Sequence, residues 1–485
     1  MIENKLSNKF LKGIFSTGIG TLATIILSLV GIMIAVRYVS KEELGTYILM
    51  LTIVSSVDLV SDLGVNISTI KNLACCTSES KKIIVSTTFL FKLIVSITCC
   101  FLISIASKIF NLLLIKYGLF NYLPYVMLLV ILECLNSYSN AVLQGYQKFK
   151  EMAFAKIILS LTNCCLIIAL IRYLQLGIIG LIIIRIASLS LVMAYQVIIL
   201  KSEIQLRFDK KIMKTILGFG YPLGLNSILS FIFLRLDTLM IGYFLNPMSV
   251  ALYGIATKIP DAARQMFEAF RSVFFPNMSE LFSSNKNKDA EIIMNNSIRI
   301  ISFITIFIAL IVYLFQNIIV KSLFSSNYIE SAPVLSLLML VLSIGLIGNI
   351  IGTSLVAAGY SRLPFIINIV DTITTITTNL ILIPKFGVIG AAYAALISRI
   401  ITNPVNVYFL RKYKINVDVL CYLKPICIYL ICIAASYFIN DSNFFINLFI
   451  AFLYIVLSFF FKIIKSDDFV HLLSGLNKQP AKGLV

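Results

Sequence analysis

Apolar stretches of about 20 residues, the length a helix needs to cross a bilayer, recur along the whole chain between short polar turns. They run at about 13–36, 44–66, 83–107, 119–143, 153–173, 177–200, 215–242, 249–275, 298–323, 333–357, 363–384, 387–408, 421–440 and 444–464. The runs are continuous and about twice the length of a barrel strand, so they predict helices and not a β-barrel. The longest polar stretches, about 276–297 and 466–485, leave no room for an appended soluble domain. The expected fold is therefore an all-α integral membrane protein of about 14 transmembrane helices.

Part of this pattern occurs twice. Gly145 and Tyr146 precede a basic turn with Lys148 and Lys150, an apolar span, and the break Leu176, Gly177, Ile178, Ile179, Gly180. Roughly 210 residues later come Gly359, Tyr360 and Arg362, a span, and the break Phe386, Gly387, Val388, Ile389, Gly390. Gly18 and Tyr47 likewise match Gly224 and Tyr253 at an offset of roughly 206. An offset of six spans is even, so the copies enter the membrane in the same direction, as parallel repeats do in transporters. This predicts a first lobe at 1–200 (spans 1–6), an inter-lobe loop at 201–214, a second lobe at 215–410 (spans 7–12), and two added spans with a polar tail at 411–485.

The net charge of +18 would suit a nucleic-acid partner, but its placement argues otherwise. Lys and Arg crowd alternate loops, as in Lys201, Arg207, Lys210, Lys211 and Lys214, while the opposite side holds few, among them Arg37, Lys41 and Lys321. By the positive-inside rule this predicts both termini in the cytoplasm. The first 12 residues are polar, with three lysines and no small-residue cleavage site, so the first span is expected to stay as an anchor. Ten cysteines without a CxxC read as small apolar fillers, and the single histidine, His471, lies in the tail, so no metal site or catalytic triad is expected. No GxxxxGKS motif is present, which argues against ATP hydrolysis.

A charge at the bilayer centre costs about 2.5–3.5 kcal/mol, so those within spans mark a cavity or one another. Lys258, Asp261, Arg264, Glu268 and Arg271 follow at steps of three or four and share one face of the eighth span. The offset of roughly 206 carries Arg264 onto Asp58 and Glu268 onto Asp62 in span 2. One reading makes this face the wall of a hydrated cleft in which Lys258, Arg264 and Arg271 meet an anionic substrate. The other makes it an ion-pair ladder, Lys258 with Asp261, Arg264 with Glu268, and Glu268 with Arg271. Span 7 adds Asn226 and Arg235 as cavity candidates, and Asp237 joins Asp58, Asp62, Asp261 and Glu268 as a coupling-ion or ion-pair candidate. Glu133, near Asn136, Ser137 and Asn140, and Asp371 are buried carboxyls that could carry a proton or sodium ion or simply bond a neighbouring helix, and Lys92 lies within span 3. Gly345, Gly348 and Gly352 share a face of span 10, for close packing or for hinging.

The run Leu382, Ile383, Pro384, Lys385, Phe386, Gly387, Val388, Ile389, Gly390, Ala391, Ala392 resembles the LIPxFGxxGAA segment of polysaccharide exporters in the multidrug/oligosaccharidyl-lipid/polysaccharide superfamily. Arg235, Asp237, Ile241, Gly242 and Tyr253 are similar to its RxDxxxIG...Y segment, and Arg37, Glu42, Gly45 and Tyr47 to its pattern around span 2. The resemblance covers nearly the whole chain and points to Wzx-type O-antigen flippases. It implies movement of an undecaprenyl-diphosphate-linked oligosaccharide, for O-antigen, lipopolysaccharide or a related surface polysaccharide, from the cytoplasmic to the periplasmic leaflet of a bacterial inner membrane. It further implies alternating access, no cofactor, coupling to H+ or Na+, and a polysaccharide polymerase and chain-length regulator as partners besides the lipid-linked substrate and membrane lipids. Lys258, Arg264, Arg271 and Arg235 match the family's basic cavity.

Two alternatives stand beside this one. A multidrug/cation antiporter of the same superfamily would use the buried carboxylates, and the cations of spans 7 and 8 count against it. A membrane-embedded O-antigen polymerase would carry a long outward catalytic loop, whereas the outward loops here are about 15 residues or shorter.

Overall fold

The computed structural model describes residues 2–75, 78–109, 119–203, 205, 207–360, 362–413, 415–439 and 444–463. These are helices joined by short turns, with no strand among the described residues. In order they are α1 (Ile2–Tyr38), α2 (Lys41–Asp62), α3 (Val65–Cys75), α4 (Ser78–Ile109), α5 (Leu123–Gly145), α6 (Phe149–Leu166) and α7 (Gly177–Leu200). Then follow α8 (Lys210–Phe244), α9 (Pro247–Ala256), α10 (Lys258–Ser283), α11 (Asn287–Leu323), α12 (Ala332–Ala357), α13 (Arg362–Phe386), α14 (Val388–Lys412), α15 (Leu420–Ile439) and α16 (Phe444–Phe460). Among the described residues, eleven helices are long and apolar enough to cross a membrane. Phe438 and Phe445 are 84% and 75% exposed, which only a hydrocarbon surrounding makes inexpensive. The chain is a multi-pass membrane protein.

Local chemistry sets the helix ends. Ser40 opens α2 with a capping box, its hydroxyl accepting the Glu43 N–H while the Glu43 carboxylate accepts the Ser40 N–H. Asp209 caps α8 and Asn246 caps α9, each accepting backbone N–H groups of the first turn. The repeated break of the two copies also has a backbone reason. Gly177 and Gly387 take φ of +56° and +67°, a region that penalises other residues. At the first, Glu43 Oε1 accepts the Ile178 N–H at 3.2 Å and tethers the start of α7 to α2.

Two expected spans are broken. The span at 44–66 ends at Asp62, turns through Leu63 and Gly64 with φ of +47° and +77°, and resumes as α3. Here the backbones meet: a Cβ on Gly64 would run into Gly220, and one on Gly224 would lie 2.5 Å from the Leu63 carbonyl carbon. The span at 249–275 is two helices, α9 and α10, parted at Thr257. Pro260 explains the break, because it has no N–H to offer the Ala256 carbonyl one turn earlier. The apolar α9 is only 10 residues long, and α10 lies outside the set of membrane-crossing helices.

By packing, the chain divides into two compact units. The first is Met1–Met266 with Val320–Val334 and Asn368–Ala394, and the second is Phe267–Ile319 with Leu335–Ile367 and Ala395–Val485. One core of the first unit joins α3, α4, α5, α7 and α8 through Val65, Val85, Val142, Leu200 and Ile216. Tyr138 is buried there, its hydroxyl 2.6 Å from the Val85 carbonyl. The core of the second unit joins α10, α11, α12 and α14 through Met278, Met294, Ile347, Ile351 and Leu410. In that unit two glycines of the α12 face serve packing: a Cβ on Gly345 would lie 3.1 Å from Arg399 Nε and one on Gly348 2.5 Å from Asn403 Oδ1, while nothing lies within 4 Å of one on Gly352; the Asn403 amide donates to the Ile344 carbonyl at 3.0 Å.

Within the first unit the connection from α7 to α8 is docked. Gln205 N–H donates to Ser86 Oγ at 2.7 Å and Asp209 N–H to Thr87 Oγ1 at 3.1 Å. The Tyr146 hydroxyl, at the end of α5, donates to Glu203 at 2.8 Å. Burial, reinforced by the Glu203 carboxylate, pushes that phenol above its ordinary range.

Candidate functional site

Three groups of charged side chains stand out in the first unit. In the first, Lys92 of α4 is fully buried and reaches Asp62 Oδ1 at 3.1 Å and Asp58 Oδ1 at 3.2 Å. The two aspartates stand one turn apart at the end of α2, so one ammonium can meet both. Only the Asp62 contact is aligned as a hydrogen bond, and Asp62 also accepts the Asn66 N–H at 3.2 Å across the break. Asn66 donates in turn to Ser137 on α5 at 2.9 Å, and the Ser61 hydroxyl lies 3.3 Å from Cys134 Sγ. Two carboxylates against one ammonium leave one formal negative charge, which a proton or a small cation can neutralise.

The second cluster lies between α5 and α7. Arg185 meets Glu133 at 2.6 Å, each side chain 21% exposed. Further along, Gln196 is buried and donates to Asn136 and Asn140 at 3.2 and 3.3 Å. Glu133 thus bonds a neighbouring helix through Arg185. Asp371, 4% exposed on α13, shares a face of that helix with the buried Thr375 and Asn379.

The third cluster gathers the end of α8, α9 and the first turns of α10. Tyr253 donates its hydroxyl to Asp237 in a very short hydrogen bond. Asp261 accepts Arg264 at 2.6 Å and lies 3.6 Å from Arg235. Lys258, at the start of α10, stands beside them with no ion pair of its own among the described residues. Three cations, Arg235, Lys258 and Arg264, thus face two carboxylates, Asp237 and Asp261, leaving one positive charge in excess. Helices α8 and α9 pack on α2, where a Cβ on Gly254 would lie 2.6 Å from Ile48 and one on Gly242 2.7 Å from Leu49. Asn226 lies on α8, and its side chain is outside the described residues.

The ladder along α10 is corrected in detail. Arg264 turns back to Asp261 instead of forward to Glu268, and Lys258 does not pair with Asp261 within 4.0 Å. Long helical side chains lean toward the N-terminus, which carries the guanidinium to its i−3 neighbour. The remaining pair, Arg271 to Glu268 at 3.2 Å, belongs to the second unit, with both side chains about half exposed at 50% and 52%. It lines a cavity of about 380 Å³ with Ser272, Phe275, Thr353 and Val356. Arg271 and Glu268 are therefore not part of the Arg264 cluster.

From the sequence Lys92 has no evident partner, and Arg185 is not among the expected site residues. The available signal was a lone guanidinium in the apolar run Ile182–Ile186. Among the described residues, no three His, Cys, Asp or Glu side chains are grouped to hold a metal ion. His471 and the tail from 464 onward lie outside the described residues.

Helices with charged clusters buried between them, and a glycine-broken repeat, define a class: the fold of the multidrug/oligosaccharidyl-lipid/polysaccharide exporters. The structure is similar to the lipid II flippase MurJ in an inward closed conformation, with a TM-score of 0.73 at 19% identity over 92% of this chain and 98% of that one. It is also similar to an inward-facing multidrug resistance MATE transporter of the MOP superfamily, at a TM-score of 0.69 and 16% identity over 80% and 94%. In sequence, the family model described as polysaccharide biosynthesis protein matches residues 34–333, and the chain belongs to that family. A relative from Haloferax volcanii, described as a probable low-salt glycan biosynthesis flippase, is 26% identical over 188 residues. That match takes in 39% of this chain and spans 40% of the relative's length.

Proposed function

We propose that this protein is a flippase that carries a lipid-linked glycan across a membrane. The observation that carries the reading is the Arg235, Lys258, Arg264 cluster, whose excess positive charge suits the phosphate groups linking a glycan to its lipid. Membership of a polysaccharide biosynthesis family and the fold shared with a lipid flippase support it. In finer terms, the substrate is an undecaprenyl-diphosphate-linked repeat unit of an O-antigen or related surface polysaccharide. It moves from the cytoplasmic to the periplasmic leaflet of a bacterial inner membrane by alternating access of the lobes at 1–200 and 215–410. Both termini are cytoplasmic, and a polymerase and chain-length regulator act on the product. Deleting the gene is expected to leave lipid-linked glycan accumulating in the cytoplasmic leaflet, unreachable by an outside lectin. Normal surface glycan in the deletion strain rejects the reading.

The Asp58, Asp62, Lys92 cluster, with its excess negative charge, supports coupling to a cation, and it is also what a multidrug/cation antiporter would need. Drug efflux by the purified, reconstituted chain in the absence of glycan lipid would favour that second reading.

A further inference from the structure

Helix α11 has 37 residues, about 55 Å at 1.5 Å per residue, against a hydrocarbon core of about 30 Å. Its first turns therefore extend past the apolar part of a bilayer. There, within the second unit, α11 meets the start of α15 and the end of α16 around a cavity of about 380 Å³. Three cations line it, one from each helix or its end: Arg299, Lys424 and Lys462. The carboxylate in the lining is Asp418, with the amides of Asn295 and Asn296 beside it.

Hydrogen bonds hold the frame of the cavity. Asn295 donates to the Asn416 carbonyl at 3.1 Å and accepts the Asp418 N–H at 2.9 Å. Asn416 N–H donates to Glu291 at 2.9 Å. The Asp418 carboxylate accepts the Leu420 N–H at 3.0 Å and lies 3.3 Å from the Cys421 thiol, so it caps α15. Lys424 donates to the Phe461 carbonyl at 3.3 Å, which fixes Lys462, the next residue, at the cavity edge with φ of +53°. Among the described residues neither Lys424 nor Lys462 forms an ion pair within 4.0 Å. The rim is apolar: Ile292 and Leu420, both in the lining, are each 58% exposed.

Three cations against one carboxylate, amide donors, and an apolar rim at the end of spanning helices form a receptor for a phosphate with acyl chains beside it. We infer that this cavity binds the phosphate headgroup of an anionic phospholipid, at the leaflet where α11 begins. Basic pockets between spanning helices hold such headgroups, at about 1 kcal/mol per Lys or Arg near the surface. The two helices added to the duplication, α15 and α16, supply two of the three cations. The site is built from residues of the second unit alone, and its assignment does not depend on the flippase reading.

The test is thermal unfolding of the purified full chain in detergent, titrated with phosphatidylglycerol, phosphatidylcholine or inorganic phosphate. Phosphatidylglycerol is expected to raise the unfolding temperature saturably, with no saturable rise from the other two. In the combined Arg299→Gln, Lys424→Gln, Lys462→Gln variant the half-saturating concentration is expected to rise roughly tenfold or more. Asn296→Asp adds a negative charge at an exposed lining position, so it folds even if the triple variant does not, and it is expected to weaken binding in the same direction. Equal phosphatidylglycerol response in wild type and Asn296→Asp overturns the site. A response to inorganic phosphate as strong as that to the lipid overturns the headgroup assignment in favour of free phosphate.

Discussion

Lys92 Nζ lies 3.1 Å from Asp62 Oδ1, and none of the lysine side chain reaches the surface. With Asp58 at 3.2 Å on the other side, one ammonium holds two carboxylates together and leaves a single negative charge over. Lys92→Met strands two carboxylates, and breaking a buried pair costs about 3 kcal/mol or more. A lower unfolding temperature is expected, partly restored by sodium or by acid, since either neutralises the stranded charge. A melt unchanged from wild type would show that the lysine is not holding the pair.

Glu133 and Arg185 are each other's partner across α5 and α7. Glu133→Gln and Arg185→Met are each expected to destabilise the protein, while the double variant recovers part of the loss, because the second change removes a charge the first had orphaned. Strict additivity in the double-mutant cycle would sink the pairing.

Arg264→Ala and Lys258→Ala are expected to abolish or sharply lower surface glycan while the protein still accumulates in the membrane. Arg271→Ala should have a smaller effect, because its half-exposed pair with Glu268 contributes only about 0–1 kcal/mol. Glycan ladders beside immunoblots of membrane fractions separate lost transport from lost protein. Wild-type ladders from both the Arg264 and Lys258 variants would remove the substrate-site assignment.

Gly64→Ala places a methyl against the Gly220 backbone at a φ of +77°. Overpacking costs about 1–3 kcal/mol, and backbone cannot step aside as a side chain can. The expected result is a lower unfolding temperature than Gly218→Ala gives, since nothing lies within 4 Å of a Cβ at Gly218.

Most of the helices could be read from the apolar runs, since hydrocarbon length alone dictates them. The repeated glycine break was legible too, and Gly177 and Gly387 give it a backbone cause. What sequence could not supply was which helix stands opposite which. Asp58 and Asp62 were found by their offset from Arg264 and Glu268, yet their ion-pair partner is Lys92, whose position on α4 no spacing rule ties to α2. The steps of three and four along α10 correctly grouped its charges on one helix. They could not say that Arg264 would pair backward, or that Asp261 would also meet Arg235 from α8.

The docking of Glu203, Gln205 and Asp209 has a mechanical meaning. Gln205 and Asp209 are clipped to Ser86 and Thr87, and Glu203 to Tyr146. These three fastenings tie the start of α8 to α4 and to the end of α5. Whatever turns the start of α8 therefore pulls at once on the start of α4 and the end of α5, and a longer, looser connection inserted at 202 would uncouple them.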